Sequence, residues 1–88
     1  MLKVKVMKKH IANGECGEPE FCAIALAILD SDKKITKVRV GYNELNIEYG
    51  KENLTYQMTK KSKRFVSKFD DNKKSVKPDT FIFKLMTF

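Results

Sequence analysis

The stretch Ile35-Thr36-Lys37-Val38-Arg39-Val40-Gly41-Tyr42-Asn43-Glu44-Leu45-Asn46-Ile47-Glu48-Tyr49-Gly50-Lys51-Glu52-Asn53-Leu54-Thr55-Tyr56-Gln57-Met58 decides the fold. Apolar side chains recur in it at every second residue, in three successive runs. Val38 and Val40 alternate with Lys37 and Arg39, and Leu45, Ile47 and Tyr49 alternate with Asn46 and Glu48; Leu54, Tyr56 and Met58 repeat the pattern. A period of two sends alternate side chains to opposite faces of a strand. Tyr42-Asn43-Glu44 and Gly50-Lys51-Glu52-Asn53 supply turn residues between the runs, so the segment predicts an antiparallel meander.

The same reading extends to both ends of the chain. Leu2, Val4 and Val6 alternate with Lys3 and Lys5, and after Pro78 the residues Phe81, Phe83 and Leu85 alternate with Thr80, Ile82 and Lys84. These are a first and a last strand. Lys8 to Asn13 predicts a short helical turn stopped by Gly14 as a C-cap. Pro19 suits the first turn of a helix. The run Glu20 to Leu29 after it is rich in Ala and Leu, both good helix formers. Phe21, Ile24, Ala25 and Ile28 share one face of that helix, its other positions are also apolar, and the acids at its start suit the helix dipole. Thr59 predicts an N-cap for a helix Lys60 to Phe69, in which Ser62, Phe65, Val66 and Phe69 form a narrow inward stripe. Asp71-Asn72-Lys73 ends it. The expectation is one α+β domain over residues 1–88. A mostly antiparallel sheet of four to five strands would carry two main helices on one face, in the order β-α-β-β-β-α-β with a short extra helix after the first strand.

The 88-residue chain carries a formal charge of +7, with 42% hydrophobic residues. A small domain buries a modest fraction of its surface, so its core is marginal. The longest apolar stretch, Phe21 to Leu29, is about half the roughly 18–20 residues of a membrane span. The alternating N-terminus lacks the continuous apolar core of a secretory signal, so a cytoplasmic protein with no membrane partner is expected. The charge is segregated. Residues 1–9 hold four lysines and no acid, residues 10–32 hold five acids and no Lys or Arg, and residues 59–78 hold eight basic residues against two acids. A basic balance of this kind favours an acidic protein surface, a nucleoprotein complex, or the backbone of DNA or RNA.

Two basic groups are the candidate binding residues. Lys60, Lys61, Lys63 and Arg64 fill the start of the helix after Thr59, with Lys68 beyond them. Cations there oppose the helix dipole, and helix starts bind anions. Contact with phosphate or an acidic protein stands beside a second reading, a solvated polar face with its charges screened. The outward face of the sheet is the other group, with Lys3, Lys5, Lys37, Arg39 and Lys84. Phe81, Phe83, Tyr49 and Tyr56 alternate onto the opposite face, so base stacking on this sheet is not expected.

Catalytic and metal chemistries find little support. His10, Cys16 and Cys22 are spaced His-x5-Cys-x5-Cys, unlike the paired Cys-x2–4-Cys of structural zinc. Cys22 sits in an apolar run and Cys16 among acids, and both settings disfavour a reactive thiolate. Asp70 and Asp71 are adjacent and point apart on a helix, and the four glycines are too scattered for a phosphate loop. A non-enzymatic protein without metal or cofactor is expected, and nothing selects an oligomeric state.

Five short segments, taken in order, carry a resemblance. They are His10-Ile11-Ala12-Asn13-Gly14, Cys22-Ala23-Ile24-Ala25-Leu26-Ala27, Val38-Arg39-Val40-Gly41, Phe65-Val66-Ser67-Lys68-Phe69-Asp70, and Val76-Lys77-Pro78 with Phe81 and Phe83. Together they resemble a family of small phage and prophage proteins. Ala23 stands where that family's pattern has a proline. The resemblance implies a phage accessory protein with no assigned activity, and in that context an inhibitor of a host antiviral nucleic-acid-handling complex, anti-CRISPR-like in action. Direct DNA or RNA binding is the alternative.

Overall fold

The three alternating runs pair in the register their alternation demands. In a computed structural model, which describes residues 1–86, the elements are β1 (Leu2–Val6), α1 (Lys8–Asn13), α2 (Ala23–Ser31), β2 (Ile35–Val40), β3 (Glu44–Tyr49), β4 (Glu52–Gln57), α3 (Lys60–Asp71) and β5 (Asp79–Leu85), with a 3-10 turn at Lys73–Ser75. The fold is α+β. All five strands are antiparallel, in the sheet order β1-β5-β4-β3-β2. Val40 lies opposite Leu45 and Leu45 opposite Tyr56, so the apolar runs share one face. The hairpin between β3 and β4 has two loop residues rather than the four of the predicted turn. Gly50 at its first position has φ +56°, a conformation other residues rarely adopt.

Both main helices cover that apolar face. α2 packs on β1 and β2, the two edge strands, so the sheet curls beneath it. The alanines Ala23, Ala25 and Ala27 are buried in this contact, and small side chains allow a close approach. α3 meets the sheet through large rings instead. The Phe65 ring stands edge-on to Phe81 at 5.0 Å and lies parallel to Phe69 at 6.3 Å. Thr59 caps α3 as expected. Its hydroxyl oxygen accepts the Ser62 N–H at 3.1 Å, and the Thr59 N–H donates to the Ser62 hydroxyl at 2.8 Å. Ser62 therefore belongs to the buried stripe because a capping box uses its one polar atom.

Two sequence expectations are corrected. Pro19 is not in the first turn of α2. The helix begins at Ala23, because the Pro19 carbonyl accepts the Val40 N–H at 2.9 Å and the Glu15 N–H donates to the Phe21 carbonyl at 2.8 Å. The 15–22 segment is thereby held as a strap on the end of β2. Phe21 is 53% exposed on it, and no acid stands in the first turn of α2. Leu85, expected to face the core, is 41% exposed at the end of β5.

Gly14 is the C-cap of α1 as expected, its N–H donating to the His10 carbonyl at 2.9 Å, and the position also needs glycine for space. Its φ is −71°, yet a Cβ there would lie 2.8 Å from the tip of the Phe69 ring and 2.9 Å from the Ala23 nitrogen. Gly14→Ala is expected to cost about 1–3 kcal/mol through forced shifts in a packed core. Urea unfolding checks this. Gly17→Ala, at φ +76° with open space around it, serves as the backbone-only comparison.

Candidate binding surface

The helix α3 divides its cations between two sides. Lys61, Arg64 and Lys68 follow a spacing of three and four residues, which places them on one stripe. With Lys77, Val76 and Asp79 they border a hollow of about 330 Å³ floored by Phe65 and Phe81. Lys61 bends back over β5. Its ammonium donates to Asp79 at 2.9 Å and to the Thr80 carbonyl at 2.8 Å, and lies 5.2 Å from the centre of the Phe81 ring. The Lys61 hydrogen bond, followed by the Thr80 N–H, holds the Asp79 carboxyl below its ordinary pKa. Lys63 leans the other way, 5.1 Å over the ring of Tyr42, and Lys60 is exposed outside this hollow. The five predicted helix cations therefore do not converge on the helix start. The capping box already takes the Ser62 N–H there.

The five predicted sheet cations share the outer face but fall into two groups. Strand order puts Lys3, Lys5 and Lys84 on β1 and β5, and Lys37 and Arg39 on β2 at the far edge. Between them lie Glu44 and Glu48 of β3. Glu48 is directly opposite Lys37, and Glu44 lies in one row with Gln57 and Lys84. Lys37 also pairs with Glu20 at 3.4 Å. A continuous basic sheet does not form.

The densest positive region lies around Val76–Asp79, and sequence reasoning missed half of it. A second hollow, of about 580 Å³, is bordered by Lys5, Lys8, Lys9 and Asp79. A third, of about 570 Å³, is bordered by Lys8, Lys73, Lys74 and Lys77 over Ile11, Ala12, Val76 and Pro78. All three hollows use parts of the segment Val76–Asp79. Asp79, already held by Lys61, is the one acid on any of their borders. The cause is topological. β1 pairs with β5, with Val6 opposite Asp79, so the lysine-rich first nine residues lie against the lysine-rich 59–78 block. The signal was present in the charge blocks; the pairing that joins them was not.

His10, Cys16 and Cys22 stay apart from this region and from one another's chemistry. His10 is buried. Its Nδ1 accepts the Met7 N–H at 2.9 Å, and its Nε2 is 3.0 Å from Asp30. An accepting Nδ1 places the proton on Nε2, which donates to the carboxylate. The Cys16 thiol donates to the Phe69 carbonyl at 2.9 Å, and burial pushes the Cys22 thiol up. Asp70 accepts the Gly17 N–H at 2.8 Å. Among the described residues, no three His, Cys, Asp or Glu side chains gather as a metal site would require, and no helix is long and apolar enough to cross a membrane.

Comparison with protein-family models, with curated proteins and with solved structures gives no match.

Asp30 makes the α1–α2 contact dependent on pH. The His10 hydrogen bond, then that of Lys9 at 2.9 Å, hold its carboxyl below the ordinary value. A carboxyl lowered in the folded state stabilises the fold above its unfolded pKa, and that stabilisation is lost as pH falls through the lowered value. Thermal unfolding of Asp30→Asn is expected to show a shallower acid-side loss of stability than the parent, with the two converging at low pH.

Proposed function

We propose that this chain is a non-enzymatic binding protein that engages an acidic surface of a host nucleic-acid-handling complex through the basic belt around Val76–Asp79. The supporting observation is the gathering there of cations from both ends of the chain, of which only Lys61 and Lys9 are in ion pairs among the described residues, with Asp79 and Asp30. Such a concentration raises the energy of the isolated domain through self-repulsion and is relieved by an anionic partner. The phage accessory setting, with an anti-CRISPR-like inhibitory role in the host cytoplasm, rests on the family resemblance of the sequence.

Direct contact with the phosphate backbone of DNA or RNA is the alternative. Phe65 and Phe81 at the first hollow are buried, so a duplex backbone suits the belt better than stacked single-stranded bases. The two readings separate in one experiment. The protein is immobilised and exposed to lysate from phage-sensitive host cells, with and without nuclease. A captured complex that survives nuclease and is lost with Arg64→Glu/Lys68→Glu/Lys77→Glu supports the first reading. Capture abolished by nuclease, with a low-salt mobility shift of naked duplex, supports the alternative. Identical capture by parent and reversed variant removes both.

A further inference from the structure

The third hollow is the one of the three with no acid on its border, and its floor is aliphatic. Ile11 and Val76 are half-buried against the core, and Ala12 and Pro78 complete the floor. Its wall is held in place from below. Lys73 donates to the Ala12 carbonyl at 2.9 Å and to the Gly14 carbonyl at 3.4 Å, closing the C-terminal end of α1. The other three rim ammoniums, on Lys8, Lys74 and Lys77, make no ion pair or side-chain hydrogen bond among the described residues.

We infer that this hollow receives an acidic peptide segment of a partner protein, one that inserts a single bulky apolar side chain between flanking carboxylates. The inference rests on the reading of the belt as the binding face and goes further in naming what occupies it. Charge complementarity selects an anionic occupant, since the rim has four lysines and no acid. The floor selects against nucleic acid. Phosphates gain nothing from aliphatic carbons, and no aromatic side chain borders the hollow for a base to stack on. A volume of about 570 Å³ is within the usual range for sites that take a side chain or small ligand.

The test uses the intact chain and two labelled peptides of Asp and Glu, one with a central Leu and one with Ser in its place. By fluorescence anisotropy the Leu peptide is expected to bind about tenfold tighter or more, as burial of one such side chain implies. Ala12→Trp fills the hollow without touching charge and is expected to erase the preference. Lys8→Glu/Lys77→Glu is expected to weaken both peptides alike. Should Ala12→Trp fail to fold, methyl shifts of Ile11 and Val76 during titration with the Leu peptide take its place, and static methyls count against the inference. Equal affinity for the two peptides, with duplex DNA still bound by the belt, overturns the inference and leaves the belt reading standing. Binding of neither peptide nor DNA at low salt overturns both.

Discussion

Phe69→Ala is expected to lower the unfolding free energy by about 3–5 kcal/mol, the range for deleting a buried phenyl ring. For a small domain of about 5–15 kcal/mol total stability, that loss leaves a large unfolded population or no fold at all. Phe69 is 0% exposed and ties α3 to the loop that follows α1. Its ring lies parallel to Phe65, and its tip sits against Gly14. Its carbonyl accepts the Cys16 thiol, and the next residue, Asp70, accepts the Gly17 N–H. Removing the ring opens a cavity between α3 and the loop that follows α1. Lys73, just beyond α3, then loses its purchase on the α1 carbonyls, so the belt loosens together with the core. Urea unfolding measures the loss. Val66→Ala, a half-buried position on the same helix, is expected to cost much less, and equal losses at both sites would show that Phe69 is not the keystone of this contact.

The parts of this fold that sequence discloses are those governed by one-sided burial. The meander follows from alternation because a slip of one residue would turn Val38, Leu45 and Ile47 to solvent. The α3 boundary follows from Thr59 because capping is local chemistry. What alternation leaves open is the order of strands in the sheet, and that order decides where charge collects. Lys3, Lys5, Lys37 and Arg39 do share a face, yet Glu44 and Glu48 come between them once β3 takes its place inside β2. Lys8, Lys74 and Lys77 are scattered in the chain and meet only because β1 pairs with β5. The start of α2 is a similar case. Pro19 is as compatible with a first helical turn as with a strap, and the choice is made by a tertiary hydrogen bond from Val40. Gly14 is legible as the cap of α1, but the ring that denies it a Cβ comes from Phe69, far along the chain.

Reversing Arg64, Lys68 and Lys77 to glutamate is expected to weaken strongly the binding of a short DNA duplex used as a polyanion probe and to flatten its salt dependence, while leaving the fold intact. All three are exposed, border the first hollow, and make no side-chain hydrogen bond or ion pair among the described residues. Each neutralised phosphate contributes about −0.9 to the slope of log affinity against log salt, so losing three contacts lowers that slope by about 2.7. Repulsion by the new carboxylates adds to the loss. The comparison that gives the result meaning is a second triple reversal, Lys33→Glu/Lys34→Glu/Lys51→Glu. It takes the same net charge from +7 to +1, but in the turn before β2 and in the β3–β4 hairpin, at residues that border none of the three hollows. If bulk charge drives association, the two variants weaken equally. If the geometry around Val76–Asp79 does, the second variant keeps most of its affinity and nearly all of its salt slope, because the cations that meet the probe are still in place. Gel mobility shifts across a salt series read both quantities, and equal losses in the two variants would remove the belt as a site.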